Sequence, residues 1–253
     1  LLPKNSTHLV KELIINKFRG DKALLTPGID MFRELVPVPV TGVIPYMHLS
    51  LEEEDSQGLK SDIEGSFRVG IIRLPFISNF SDFAPLHAMK SVCAFYITKP
   101  DDVAGCDVVI IPGSKNTLSD MDFLHETGFA EALHSFAKYK PVIGICGGLQ
   151  MLGVEISDPD NIEGRGGNAL GLGLLPLKTV ITPDKRLSKT EAKGQEKWSG
   201  QLIQGYEIRM GRTELLGDLD SLTENGLAFQ SGKVFGTYLH GFFENKDNIS
   251  KLN

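Results

Sequence analysis

The sequence predicts an α/β fold built on a mostly parallel sheet with an antiparallel extension, and three observations carry that prediction. Strand-length apolar runs recur at 68–74 (RVGIIRL), 92–97 (VCAFYI), 107–111 (DVVII) and 142–145 (VIGI). A helix-like stretch at 128–138 (GFAEALHSFAK) separates the last two. Such near-continuous apolar strands, alternating with helices, belong to a sheet covered on both faces. The third observation is a sharp junction, where the strand ending VIGI runs into Cys146, two glycines and an apolar helical stretch, LQMLG.

Taken in order, residues 8–15 (HLVKELII) read as a strand ending in Asn16-Lys17-Phe18-Arg19-Gly20-Asp21. A short helix over 28–36 and a strand over 40–46 (VTGVIPY) follow. Residues 49–66 (LSLEEEDSQGLKSDIEGS) are polar and rich in Glu, Asp, Ser and Gly, the composition of a linker. The chain therefore divides into residues 1–48, a linker at 49–66, and a main domain over 67–253. Beyond residue 170, strands at 172–180, 202–209 and 234–239 come without evident helices, which suggests the antiparallel extension at one edge. Residues 184–200 (DKRLSKTEAKGQEKWSG) read as a polar loop.

At 253 residues with 41% hydrophobic and 23% charged side chains, the composition is that of a globular protein with a substantial core. A net charge of −6 gives no electrostatic basis for nucleic acid or an anionic membrane as partner. The longest apolar runs fall far short of the ~20 residues that span a bilayer. Cys93, Cys106 and Cys146 form neither a CxxC pair nor an even framework, the usage of a reducing compartment, so a cytoplasmic location is expected. No metal site is expected. The chain opens Leu-Leu-Pro without a methionine, as a piece of a longer protein would.

The junction Gly144-Ile145-Cys146-Gly147-Gly148-Leu149-Gln150 follows the grammar of a nucleophile elbow, with sulfur in place of a serine hydroxyl. A nucleophile on a tight strand-to-helix turn needs glycines around it, because neighbouring side chains would collide. The following helix aims the positive end of its dipole at the sulfur. Cys93 and Cys106 lie in or beside apolar strands and read as core residues. Of six histidines, His125 and His134 fall on polar helical stretches, His8 and His48 flank the first fragment, and His87 follows a loop. His240 ends the strand VFGTYL, and strand ends are where open α/β sheets present catalytic groups. It is the candidate base for Cys146. A thioester-forming site also needs oxyanion donors. The N–H of Gly147 is one candidate, and a second is expected from the loop 111–117 (IPGSKNT), at Gly113.

Together, GICGGLQ, the earlier IPGSKNT and the later TYLHG resemble the class I (triad-type) glutamine amidotransferases. Gly144, Cys146, Gly148 and Gln150 match that family's G-x-C-x-G-x-Q pattern in full. The resemblance implies a flavodoxin-like sheet, a cysteine that forms a glutamyl thioester, a histidine that relays protons, and a role for Gln150 in holding glutamine. One departure is that the acid usually found two residues after the histidine is replaced by Phe242. Either Cys146 and His240 act as a dyad or another group orients the ring.

The cobalamin-pathway branch of the family shares that lack. Nine stretches, INKFRGD, GVIPY, EEDS, PFISNFSDFAPL, IPGSKNT, GICGGLQMLG, GLGLLP, GYEIRMGRT and GTYLHGFFEN, occur in the order of its cobyric acid synthases. That resemblance implies a two-part enzyme. An N-terminal P-loop domain, similar to dethiobiotin synthetase, uses ATP and Mg²⁺ to activate carboxylates of a corrinoid, and the glutaminase supplies ammonia. Residues 1–48 would be the last part of the ATP domain, with Asn16 and Lys17 near the nucleotide base. No GxxxxGK[ST] occurs, so no cofactor is expected on this chain alone, and the missing ATP-binding domain becomes an expected partner beside glutamine and the corrinoid. The readings left open are the sister cobyrinic acid a,c-diamide synthases, a flavodoxin-like cysteine hydrolase of another kind, and a catalytically silent binding module. The loop 79–83 is expected beside the corrin or synthetase interface or as a capped turn, and Arg209 and Arg212 either on a solvated strand or meeting substrate carboxylates.

Overall fold

The computed structural model describes residues 9–18, 20–36, 38–45, 67–195, 199, 202–217 and 219–245. Contacts divide the chain into two units, Leu1–Leu51 and Glu52–Asn253. Residues 46–66, and with them the linker expected at 49–66, lie outside the described residues, as do His8 and His48.

In the first unit, β1 (Leu13–Phe18) and β2 (Val40–Pro45) pair in parallel, connected by α1 (Lys22–Leu35). The helix starts at Lys22 rather than at residue 28 because Asp21 caps it, its carboxylate accepting the Ala23 N–H at 2.8 Å. Pro27 lies inside α1 without ending it. Likewise β1 runs on to Phe18, past the strand end expected at residue 15.

The second unit opens with β3 (Phe67–Ile72), β4 (Ile77–Ser78), α2 (Ala84–Ala88), β5 (Val92–Ile97), β6 (Val108–Ile111) and β7 (Gly113–Ser114). Next come α3 (Thr117–Glu126), α4 (Phe129–Phe136), β8 (Val142–Ile145), α5 (Gly147–Leu152), β9 (Glu155–Asp158), β10 (Gly167–Leu170) and β11 (Leu177–Val180). The chain then forms β12 (Arg186–Lys193), β13 (Leu202–Arg209), β14 (Arg212–Leu215), β15 (Asp220–Ser221), β16 (Ala228–Ser231), β17 (Val234–Thr237) and β18 (Leu239–His240).

The central sheet has the order β15-β16-β17-β8-β6-β3-β5. From β17 to β5 every pairing is parallel, and β15 and β16 add an antiparallel edge. All four residues of β6 and of β8 are buried, as their unbroken apolar character requires of strands covered on both faces. The mostly parallel α/β sheet is thus as predicted, with two refinements. The run expected at 234–239 is split: β17 joins the parallel array beside β8, whereas β18 pairs with β13 in a separate sheet of order β12-β13-β18. And 184–200 is not a loop throughout, for β12 pairs residue by residue with β13 from Arg186↔Arg209 to Lys193↔Leu202. Being mostly exposed on both faces, β12 has no apolar alternation by which the sequence could announce it. A further sheet, β10-β9-β11-β14, and the short antiparallel pair β4-β7 complete the described strands. Among the described residues no helix is long and apolar enough to cross a membrane.

Candidate active site

Parallel strands present their C-terminal ends together, and the candidate site forms at that edge. Cys146 follows β8 and caps α5 with φ 51° and ψ −107°, a conformation that an L-residue adopts only under constraint. The glycines of the motif supply that constraint. A methyl at Gly148 would fall 2.0 Å from the Ile111 carbonyl oxygen, and one at Gly144 would fall 2.6 Å from the Gly148 backbone. The elbow can close only because both positions lack a side chain. Cys146 N–H donates to the Thr237 carbonyl at 2.8 Å, tying the turn to β17. Three residues past the end of β17, in β18, comes His240. The strand adjacency therefore delivers nucleophile and base to one place, where the Cys146 thiol donates to the Ile208 carbonyl at 3.1 Å and lies close enough to His240 to raise its pKa.

His240 is fully buried and held from several directions. Its backbone pairs with Tyr206 on β13, and the Tyr206 ring stacks on the imidazole at 5.3 Å and 19°. Nδ1 lies 2.7 Å from Asp82 Oδ2, while the other oxygen of Asp82 accepts the Gly241 N–H at 2.9 Å. Asn79 Nδ2 sits 3.1 Å from both ring nitrogens, an equidistance that puts it off the ring plane. Burial alone would lower the imidazole pKa. The Asp82 carboxylate and the neighbouring Cys146 outweigh it and hold the group up at about 10. With Nδ1 on Asp82, Nε2 is the nitrogen left to face the sulfur.

Asp82 is the residue that sequence reasoning missed. It lies in a short 3₁₀ turn, Phe80–Phe83, reached from β3 through β4, and is itself buried. The loop 79–83 is therefore more than a capped turn, since Asn79 and Asp82 both touch the imidazole. The available signal was topological: an acid in the connection leaving a parallel strand, at the edge where the strand of Cys146 also ends. Phe242 fills the position where the family places its acid, buried against Phe235 at 5.1 Å and Phe243 at 5.5 Å.

A cavity of about 430 Å³ opens beside Cys146 and Gln150 and is walled by Thr117, Glu163 and Arg209. Gln150, one turn along α5, is buried, its amide nitrogen donating to the Met210 carbonyl at 3.1 Å. Glu163 accepts the Thr117 N–H at 2.6 Å, and its burial pushes the carboxyl above the usual range. Arg209 is not on a solvated strand as expected, for its side chain is only 11% exposed. Its Nε pairs with Glu207 at 2.5 Å, Nη1 donates to the Gly211 carbonyl at 3.0 Å, and the guanidinium lies 4.1 Å over the Tyr238 ring. Nη2 has no partner among the described residues. Arg212 is solvated, as expected, and so are His125 and His134. Cys93 and Cys106 are core residues, also as expected.

The β4-β7 pair borders the site on the side of α3. A methyl at Gly113 would come within 3.5 Å of His240 Cε1 and 3.8 Å of Cys146 Cβ, and one at Gly147 within 2.9 Å of Ser114 N. The register Ser78↔Gly113, continued by Lys115 N–H to the Phe76 carbonyl at 2.8 Å, commits the Gly113 N–H to Ser78. The next N–H, on Ser114, alternates to the edge that faces Gly147. The Gly113 N–H, expected as an oxyanion donor, is thus taken up within the β4-β7 pair. In the first unit Asn16 is exposed on β1, and the side chain of Lys17 lies outside the described residues.

A parallel sheet that sets a strained cysteine against an aspartate-held histidine defines the class, an α/β protein with a Cys-His-Asp constellation. Residues 68–248 match the CobB/CobQ-like glutamine amidotransferase domain, and the chain belongs to that family. It is 40% identical over 264 residues to a cobyric acid synthase of Chloroflexus aggregans, covering 98% of this chain and 53% of that one. With a cobyric acid synthase of Listeria monocytogenes it shares 43% over 270 residues, covering 100% and 52%. The chain thus spans about half the length of the curated relatives it matches. Among solved structures, a glutamine amidotransferase crystal structure superposes with a TM-score of 0.55 at 16% identity, over 72% of this chain and 95% of that one. PurLQS from Thermotoga maritima gives 0.55 at 16%, over 74% and 97%. These two likenesses support the fold.

Proposed function

We propose that this chain hydrolyses the side-chain amide of glutamine and serves as the ammonia-supplying half of a cobyric acid synthase. The observation that carries the reading is the Asp82-His240-Cys146 relay opening onto a cavity that Gln150 helps to wall. With His240 Nε2 already carrying the proton, as its raised pKa requires, Cys146 Sγ attacks the amide carbon. As the carbon–nitrogen bond breaks, His240 gives that proton to the departing nitrogen and ammonia leaves. Water then attacks the glutamyl thioester, giving its proton to His240, and Cys146 is freed as glutamate departs. The Gly147 N–H, an orphan at the start of α5, and the Ser114 N–H receive the developing oxyanion. Glu163 binds the α-ammonium of glutamine, Arg209 Nη2 its α-carboxylate, and Gln150 the side of the reacting amide.

The identities of 40% and 43% with cobyric acid synthases support the finer reading. In it, ammonia goes to a synthetase site that amidates four peripheral carboxylates of adenosylcobyrinic acid a,c-diamide. That site needs ATP and Mg²⁺, and these residues do not fit them, since no GxxxxGK[ST] is present to cradle phosphates. Residues 1–48 would complete the missing ATP-binding domain, with Asn16 and Lys17 at its nucleotide base. Exposed Leu24, Met31 and Leu35 on α1 offer that domain an apolar face.

The test is labelling with a diazoketone analogue of glutamine, together with an assay of ammonia release. Labelling at Cys146 that glutamine blocks, with release abolished by Cys146→Ala, is expected. Labelling that glutamine leaves unaffected, without ammonia release, would overturn the reading.

A further inference from the structure

Asp120, in the first turn of α3, touches neither Cys146, His240 nor the cavity, yet it is fully buried. Its two oxygens reach two different segments. Oδ1 accepts the Phe76 N–H at 3.0 Å, and Oδ2 accepts the Ser114 hydroxyl at 2.5 Å. Phe76 leads directly into β4, and Ser114 is half of β7. One carboxylate thus fastens both strands of the short pair to α3. Each strand carries part of the site onward. After β4 the chain delivers Asn79 and Asp82 to the imidazole, while β7 brings Gly113 beside His240 and Cys146 and lays Ser114 against Gly147.

A two-stranded pair whose strands are two residues each has little stability of its own. Ladder bonds hold the strands to one another, but they do not fix the pair to the sheet. Ser114 Oγ also accepts the Asn116 N–H at 2.9 Å, and Asn116 caps α3 through Ser119 N–H at 3.1 Å, so the link from helix to strand is continuous.

We propose that Asp120 is a positioning residue for the hydrolytic site, a buried clamp that sets Asp82 and Asn79 on one side and the Ser114 N–H on the other. The proposal rests on the glutaminase reading for its effect on turnover but not for its effect on the sulfur. Substituting Asp120→Ala strips both tethers and lets the β4-β7 pair shift. Displacement by about 1 Å at a reacting centre costs on the order of 100-fold in rate. Asp120→Asn keeps an acceptor for Phe76 N–H and offers Ser114 Oγ a donor, so it restores most of the loss.

The test combines glutamine turnover with alkylation of Cys146 by iodoacetamide, which needs the nucleophile and its base but no glutamine site. Expected for Asp120→Ala is a roughly 10- to 100-fold fall in kcat with KM changed less than about threefold. Alkylation slows in parallel, and Asp120→Asn rescues both. Ser114→Ala, which cuts one tether and leaves Phe76 held, should show an intermediate loss and keeps the question open to test if Asp120→Ala does not fold. Wild-type kcat in a folded Asp120→Ala, or wild-type alkylation in Ser114→Ala, would overturn the proposal. If the wild-type chain releases no ammonia, the glutaminase reading fails, and alkylation alone still decides whether Asp120 positions the sulfur and its base.

Discussion

The imidazole of His240 carries the most consequential electrostatics of the site. Its pKa stands at about 10, above the ordinary 6.5, because Asp82 and Cys146 outweigh the cost of burial. For a histidine raised on folding, the stabilisation is complete below pH 6.5 and is lost as pH climbs through about 10. Nuclear magnetic resonance of the ring should give a midpoint near 10, and Asp82→Asn should move it down. The same substitution should reduce kcat by roughly 10²- to 10⁴-fold, as loss of the orienting acid does in related relays. Phe242→Glu should not supply a substitute. It places an unpaired carboxylate against Phe235 and Phe243, at a cost of about 3–5 kcal/mol in thermal or denaturant unfolding. Cys146 and His240 were legible as candidates in the sequence because glycine spacing and a strand end mark them locally, and Gln150 through the family's motif pattern. Asp82 was not. It lies 158 residues from His240 and is flanked by aromatics that suggest only a packed turn.

At the scale of elements, the elbow between β8 and α5 depends on close backbone approach. Gly148→Ala forces a methyl to 2.0 Å from the Ile111 carbonyl, a backbone atom that cannot swing aside. A loss of about 3 kcal/mol is expected, at the upper end of overpacking costs, measurable as a lowered denaturation midpoint. The parallel strands were readable because burial on both faces makes them apolar throughout. By contrast β12 was read as a loop and β17 as part of an antiparallel edge. Exposed residues such as Arg186, Leu187 and Lys189 reveal no periodicity, and strand direction is set by pairing partners rather than by composition. The same limit applies to the β4-β7 pair. Two-residue strands leave no periodic trace, so neither the commitment of the Gly113 N–H nor the tether at Asp120 could be read before the chain was folded.

For the whole molecule, the 253 residues hold the proposed hydrolytic site but no GxxxxGK[ST] phosphate loop, and they span about half of each of these curated relatives. The chain alone should release ammonia from glutamine yet show no ATP-dependent amidation of a corrinoid, measured by mass spectrometry of the corrin product. Amidation by this chain without a further polypeptide would refute that division of labour. The connection between β3 and β5 also has a consequence for dissecting the protein. Asp82 precedes the sulfur in the chain, and the ring it supports comes last, so the three groups are threaded acid first. A piece starting at residue 90 would retain Cys146, Gln150 and His240 and would satisfy any search by motif. It would nonetheless lack the brace behind its imidazole, and adding residues 67–89 as a separate peptide should bring turnover back.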